Sequence, residues 1–365
     1  MTAAPRVRVL VVEDSRFMRG VLCRLLASDP EIEVVGVADN GVDAVAASAS
    51  LAPTVITMDV NMPHGDGLAA VERIMAERPT PIVMISSHTQ AGSAAAIRAL
   101  GLGAVDFVSK PSGAVDIGLG ALRDEIVRKV KMAARIRPVR NAVATSDGRV
   151  AAKPPRGARR PGAETSWLPC VVIAASTGGP AALFDLVPAL PSGLPASVLI
   201  AQHMPAPYTA HLAGALAERA SLPVTEAEDG ERLQRGHVYV VPGSHNALVA
   251  TDGRVVLRAA NGSADGVPSA DMAMSSVARH AGRLSVGVVL TGMGRDGAEG
   301  AAAIRESGGL VLAQDEASSM VYGMPRAAAE TGAVHMIVPL ARLVDTLSAC
   351  LRDLGTPARS LIHAS

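Results

Sequence analysis

Short apolar runs separated by helix-length amphipathic stretches recur along this chain. The runs Val7–Val12, Ile32–Val37, Thr54–Met58, Ile82–Ile85 and Ala104–Val108 are too short for helices and lack polar alternation. Between and after them, apolar residues return at three- and four-residue spacing over Arg16–Ala27, Gly41–Leu51, Leu68–Glu77, Ser93–Leu100 and Ile117–Ile136. Strands that are apolar on both faces need cover on both faces, and the alternating helices supply it. The pattern predicts a parallel, doubly wound α/β domain over about residues 7–135.

The rhythm stops and then resumes. Residues 138–166 carry Pro138, Pro154, Pro155 and Pro161 among Arg140, Arg149, Lys153, Arg156, Arg159 and Arg160, with little to bury. Such a stretch predicts a basic, Pro-rich linker, flexible or locally extended. After it come strand candidates Cys170–Ala174, Ser197–Gln202, His237–Val241, Val286–Leu290 and Gly309–Ala313. Helix candidates are Ala181–Leu190, Tyr208–Ala220, Ala270–Ala281, Gly297–Ser307 and Leu340–Leu351, and Gly253 marks a hairpin between Leu248–Thr251 and Arg254–Leu257. The expected organisation is a first domain at 5–136, a linker at 137–166 and a second α/β domain at 167–357.

Composition narrows the function classes. The 365 residues balance 34 basic against 34 acidic side chains, so net charge points to neither nucleic acid nor an anionic membrane. Aromatics are 2%, too few for a base-stacking platform. Cys23, Cys170 and Cys350 are far apart, with no disulfide or zinc spacing, which suits a reducing compartment. Residues 1–8 do not read as a signal peptide, and there is no stretch of about 18 uninterrupted apolar residues, so a cytoplasmic protein without a membrane span is expected.

The first domain gathers acids at its strand ends. Glu13 and Asp14 close the first strand and Asp59 the third, where ligands collect in a doubly wound sheet. Three converging carboxylates repel one another unless a cation intervenes, and a hard ion such as Mg²⁺ fits oxygen donors. Ser86 ends the fourth strand and Lys110 follows the fifth. The set makes a phosphoryl-acceptor kit: Asp59 as nucleophile, the metal neutralising charge, Ser86 and Lys110 holding product oxygens. Taken singly, Asp59 could be a solvated turn residue and Lys110 a surface lysine.

Val9-Leu10-Val11-Val12-Glu13-Asp14-Ser15, Met58-Asp59-Val60-Asn61-Met62-Pro63-His64-Gly65-Asp66-Gly67, Ser86 and Phe107-Val108-Ser109-Lys110-Pro111 together resemble a response-regulator receiver domain, a flavodoxin-like fold. The resemblance implies phosphorylation of Asp59 by a histidine kinase, with Ser86 sensing the phosphoryl group. It also implies that Phe107 is the aromatic that rotates with Ser86 and that the Asn61 carbonyl is a metal ligand.

The second domain offers a nucleophile. Val171-Val172-Ile173-Ala174-Ala175 runs into Ser176-Thr177-Gly178-Gly179-Pro180, a strand turning sharply into a helix with Ser at the turn. His203 follows the Ser197–Gln202 strand and Asp296 follows Val286–Leu290 and a Gly-rich turn, so three strand ends supply nucleophile, base and orienting acid. On the residues alone His203 could be a turn residue and Asp296 a helix cap. Gly292-Met293-Gly294 could be a plain loop or a donor of N–H groups to an oxyanion.

Ala175-Ser176-Thr177-Gly178-Gly179-Pro180, Gln202-His203-Met204-Pro205, Thr291-Gly292-Met293-Gly294-Arg295-Asp296-Gly297 and Gln314 through Pro325 resemble the chemotaxis protein-glutamate methylesterases, which join a receiver to a Rossmann-like catalytic domain. The resemblance implies Ser176 as nucleophile, His203 as base, Asp296 as orienting acid and the Met293 N–H as oxyanion donor. Thr177 would help position His203 or the oxyanion. It further implies ester hydrolysis, and glutamine deamidation, on chemoreceptors, without a cofactor for the ester chemistry. Ala174 stands where the family usually has Gly.

Overall fold

The structure, a computed structural model, describes residues 6–62, 67–87, 89–110, 119–136, 168–260 and 266–355. The stretch 137–166 expected to be a linker, Trp167, His64–Asp66, Pro111 and His363 lie outside the described residues.

The first sheet is built from β1 (Val7–Val12), β2 (Ile32–Ala38), β3 (Val55–Asp59), β4 (Ile82–Ser87) and β5 (Asp106–Lys110), all parallel in the order β2-β1-β3-β4-β5. Helices α1 (Arg16–Ala27), α2 (Gly41–Leu51), α3 (Gly67–Glu77), α4 (Gln90–Gly101) and α5 (Leu119–Ala133) alternate with the strands. Local chemistry starts several of them. Ser15, Asn40 and Thr89 each accept a hydrogen bond from the N–H three residues on, supplying an otherwise unpaired helix donor. The predicted start of the last helix at Ile117 falls outside the described residues, which enter α5 at Leu119.

The second sheet has seven parallel strands in the order β14-β13-β12-β6-β7-β9-β8. Its elements run β6 (Cys170–Ala175), α6 (Gly179–Ala189), β7 (Ser197–Gln202), α7 (Tyr208–Ala217), β8 (Val224–Glu226) and β9 (Val238–Val240), then a hairpin of β10 (His245–Val249) and β11 (Val255–Ala259). There follow α8 (Ala270–Ala281), β12 (Ser285–Val289), α9 (Ala298–Glu306), β13 (Leu310–Gln314), α10 (Met324–Glu330), β14 (Met336–Val338) and α11 (Leu340–Gly355). Strands β8 and β14 and helix α10 have no counterpart among the sequence-based expectations. Each is three to seven residues long, too short for a periodic signal. The helix expected over Tyr208–Ala220 stops three residues early, where Glu218 caps it. The hairpin is longer than predicted and antiparallel, turning at Gly253.

From β6 the chain runs to β7 on one side and returns through β12, β13 and β14 on the other. The strand order therefore reverses between β6 and β12, and loops leaving a doubly wound sheet at such a reversal part to form a crevice. Core residues cover both faces of each sheet. One apolar cluster passes from the first domain into the second. Ala96, Ile97 and Leu100 of α4 belong to it together with Leu183 and Phe184 of α6 and Leu212 and Leu216 of α7. Helix α4 packs against α6 and α7, so this apolar cluster is continuous across the domain boundary. Among the described residues no helix is long and apolar enough to cross a membrane.

Candidate active site

Ser176 leaves β6 at the sheet's switch point and is followed at once by α6. Its N–H donates to Thr291 O (3.1 Å), and its carbonyl accepts from Gly179 N–H (2.8 Å) and Gln202 Nε2 (2.9 Å). The turn needs Gly178, whose φ of +76° is poorly tolerated by residues with a Cβ. It also needs Gly292 on the facing loop, because a Cβ there would come within 2.7 Å of Ser176 Cβ. Ala174, buried in β6 one strand-width from Val289 and Ala201, turns its methyl toward Gly297, where an added Cβ would lie 3.3 Å away. The extra methyl is thus absorbed under the 292–297 loop rather than in the cleft.

His203 follows β7, and its Nε2 meets Asp296 Oδ2 at 2.7 Å. Asp296 is held from behind. Its Oδ2 also accepts from Ala270 N–H (2.7 Å), and its Oδ1 accepts from Asp271 N–H (2.9 Å), Gly297 N–H (3.1 Å) and Ser269 Oγ (3.3 Å). Burial works to raise the Asp296 pKa. The His203 bond and the N–H groups of Asp271 and Ala270 outweigh it and hold the carboxyl below its ordinary value. The N-terminus of α8 therefore stabilises the charge on the acid that holds the imidazole.

Ser176, His203, Met293 and Asp296 line one cleft of about 930 Å³. Among the described residues no hydrogen bond joins the Ser176 hydroxyl to His203. The histidine–aspartate pair is formed and the serine lies in the same cleft, a looseness common before substrate is bound. The Gly292–Met293–Gly294 turn is fixed from outside: Gly292 O accepts from Gly323 N–H (3.1 Å) and Met324 N–H (2.9 Å), and Gly292 N–H donates to Val321 O (3.0 Å).

Several contributors escaped sequence reasoning. Thr291 Oγ1 donates to Thr177 O (3.0 Å) and accepts from Val321 N–H (2.9 Å), while Gln314 Oε1 accepts from Thr291 N–H (2.8 Å). Gln202, Thr291 and Gln314 are buried polar residues at the ends of apolar strands. That position was their signal, since a buried amide or hydroxyl needs partners.

Residues of the first domain close the same cleft. Asp106, Phe107 and Lys129 line it beside Ser176 and His203. Thr177 Oγ1 donates to Asp106 Oδ2 (2.9 Å), so the hydroxyl expected to help position His203 or the oxyanion is bound across the domain boundary. The Phe107 ring stacks on Tyr208 with centroids 4.2 Å apart, and Ser109 Oγ bonds Tyr208 OH (3.1 Å). Lys129 pairs with Asp106 (3.1 Å) and Glu125 (3.1 Å), bonds the Phe107 carbonyl and lies 5.1 Å from the Phe107 ring centre. Arg128 Nη1 approaches Met293 Sδ at 3.9 Å.

At the far end of the first sheet, carboxylate oxygens of Glu13, Asp14 and Asp59 lie within 4.8 Å of one another. Lys110 Nζ bridges Glu13 Oε2 and Asp59 Oδ2, each at 2.9 Å. Burial first, and then the Asp59 charge, push the Glu13 carboxyl up to about 7. Such a crowded all-oxygen donor set fits a hard divalent cation. Asn61 N–H donates to Asp59 Oδ1 (3.3 Å) and Ser86 Oγ to Gly92 O (2.8 Å).

Comparison with known proteins places both halves of the chain in known families. The CheB methylesterase family matches residues 171–347 and the response regulator receiver domain family residues 9–118. The protein-glutamate methylesterase/protein-glutamine glutaminase of Symbiobacterium thermophilum is 44% identical over 94% of this chain and 96% of its own length. The protein of the same name from Pyrococcus abyssi is 42% identical over 94% and 93%. Among solved structures, the CheB methylesterase catalytic domain of Thermotoga maritima is 35% identical, covering 51% of this chain and 99% of that one at a TM-score of 0.48. The response regulator domain of Thermotoga maritima CheB is 43% identical, covering 36% and 99% at 0.34.

Proposed function

Since the chain belongs to the protein-glutamate methylesterase/protein-glutamine glutaminase family and carries a receiver domain, we propose that it hydrolyses γ-glutamyl methyl esters on chemoreceptors through Ser176, His203 and Asp296, under control of phosphorylation at Asp59. We assign the receiver to 5–136, the linker to 137–166 and the catalytic domain to 167–357.

With His203 Nε2 committed to Asp296, the other ring nitrogen, Nδ1, takes the Ser176 proton. Ser176 Oγ attacks the ester carbonyl, and the oxyanion faces the Met293 N–H. The imidazolium returns its proton to the leaving methoxide, and methanol departs. Water enters, gives a proton to His203 and attacks the acyl carbon; collapse of that second tetrahedral intermediate frees Ser176 and a glutamate side chain. A glutamine side chain follows the same course with ammonia as leaving group. No metal or cofactor enters the ester chemistry. The observation that carries the mechanism is the 2.7 Å His203–Asp296 bond, backed by the α8 N-terminus and opening on the cleft that holds Ser176. Acid-quenching the enzyme with a methylated receptor peptide and mapping the adduct by mass spectrometry tests it. The acyl group belongs on Ser176, and an adduct on any other residue rejects the mechanism.

In the receiver, Glu13, Asp14, Asp59 and the Asn61 carbonyl would hold Mg²⁺, which when bound would supply charge neutralisation for phosphoryl transfer from a histidine kinase to Asp59. Lys110 then pairs with the phosphoryl oxygens, Ser86 turns from Gly92 O to bind them, and Phe107 follows into the space Ser86 leaves. Phe107 stacks on Tyr208, so its movement strips a contact from the domain interface. The unphosphorylated receiver covers Ser176, because a receptor helix about 10 Å across cannot share the cleft with Phe107 and Lys129. Phosphorylation shifts the equilibrium toward an open form. The site of action is cytoplasmic, and neither nucleic acid nor membrane insertion takes part.

A further inference from the structure

Behind Asp296, helices α8 and α9 exchange carboxylates. The first N–H groups of α8, from Ala270 and Asp271, donate to Asp296. The leading N–H groups of α9 donate in turn to Asp271 Oδ1, from Gly297 at 2.8 Å and from Gly300 at 2.7 Å. Helix α9 has no capping side chain of its own, because Gly297 sits at its N-cap with φ of +91°. Helix α8 is capped separately by Ser269, whose Oγ accepts from Met272 N–H. Asp271 is therefore surplus to capping its own helix and ties the start of α9, and with it the Asp296 loop, onto α8. The helices meet closely, since a Cβ on Gly300 would lie 3.1 Å from Asp271 Cα.

The arrangement sets two carboxylates side by side, which a purely structural joint would avoid. Burial chiefly, and the Asp296 charge next, push the Asp271 carboxyl up to about 6. What the pair gains is rigidity. Asp296 takes its place from backbone donors on α8, and its own loop is pinned to α8 by Asp271, so neither can move without breaking the other's bonds.

We propose that Asp271 is a positioning residue for the esterase reaction, acting through Asp296 on the orientation of His203 and never touching substrate. The inference rests on the Ser176–His203–Asp296 mechanism. Displacing a catalytic group by about 1 Å costs on the order of 100-fold in rate. An asparagine keeps an oxygen that accepts from Gly297 and Gly300, whereas alanine does not.

The test uses the full chain with saturating phosphodonor, methanol release from methylated receptor, and the downfield proton resonance of the His203 ring N–H. Asp271→Ala is expected to lower kcat by roughly 10- to 100-fold with KM within about twofold, and to shift or broaden the resonance. Asp271→Asn is expected to keep kcat within about threefold of wild type and to retain the resonance. Asp271→Ala/Asp296→Ala is expected to be no slower than Asp296→Ala, because the two act in series. If Asp271→Ala keeps its kcat, or loses activity only with its folded fraction while the resonance stays in place, Asp271 does not position the pair. Wild-type rates in Asp296→Ala would instead reject the triad mechanism itself, and this inference with it. Loss of activity in Asp296→Ala beside an unimpaired Asp271→Ala would reject this inference alone.

Discussion

The hydrogen bond from Thr177 to Asp106 is the most direct tie between the receiver and the catalytic turn, and cutting it should release the enzyme without phosphate. Both residues are buried, and the bond is 2.9 Å long to a carboxylate oxygen. A hydrogen bond to a charged group contributes about 1.5–3 kcal/mol net. The Lys129–Asp106 ion pair lies within the receiver and does not itself tie the two domains together. Removing the carboxylate in Asp106→Ala should shift the closed–open equilibrium by roughly 10- to 150-fold. Asp106→Asn leaves Thr177 a neutral acceptor, and the lost charge, at about 1 kcal/mol, shifts it about fivefold. The assay is methanol release from methylated receptor without phosphodonor, well below each variant's melting temperature. The unphosphorylated rate should rise in the order wild type, Asp106→Asn, Asp106→Ala, up to the phosphorylated wild-type rate. A wild-type basal rate in Asp106→Ala, with phosphodonor still stimulating it, would refute the argument that this contact holds the cleft shut.

Other outcomes follow from the same contacts. Asp296→Asn, which keeps the size of the side chain and loses the charge that holds the imidazole, should lower kcat by about four orders of magnitude, read by methanol release with phosphodonor present. Asp59→Asn should abolish stimulation by phosphodonor while leaving the basal rate within about twofold, and a stimulated Asp59→Asn enzyme would remove Asp59 from the switch. Asp14→Asn should weaken Mg²⁺ binding by isothermal titration calorimetry by about tenfold or more, with the unphosphorylated ester rate unchanged by chelator. Because the folded Asp271 carboxyl lies at about 6, above its ordinary 3.8, the native state holds the extra proton between those values and loses stability as pH rises through them. The loss is about 1–2 kcal/mol after allowing for partial solvent exposure, so Asp271→Asn should melt higher than wild type at pH 8 and level with it at pH 4.

Much of this arrangement was legible in the chain. Runs such as Val7–Val12 and Ser197–Gln202, apolar on both faces, specified buried parallel strands and fell where expected. Ser176 and His203 were visible as polar residues directly after apolar strands, and Asp296 as an acid in the Gly-rich turn that follows a third. The short strands β8 and β14 were not legible, since three residues carry no period and their pairing comes from neighbours far off in sequence. The cross-domain bonds of Asp106, Phe107 and Ser109 were hidden for a different reason: packing between domains leaves no local pattern. Asp271 was hidden because its partners are backbone N–H groups, which any sequence supplies.

The central claim is that Ser176 performs the hydrolysis and that the receiver gates access to it. It is tested most directly by methanol release from methylated receptor, with and without phosphodonor, for wild type, Ser176→Ala and the separated catalytic fragment 167–357 with and without Ser176. Wild type should be stimulated by phosphodonor, and the fragment should be fast without it. Both Ser176→Ala forms should be inactive under every condition. Methanol released by Ser176→Ala at the wild-type rate, or a fragment no faster than the unphosphorylated full chain, would contradict the account.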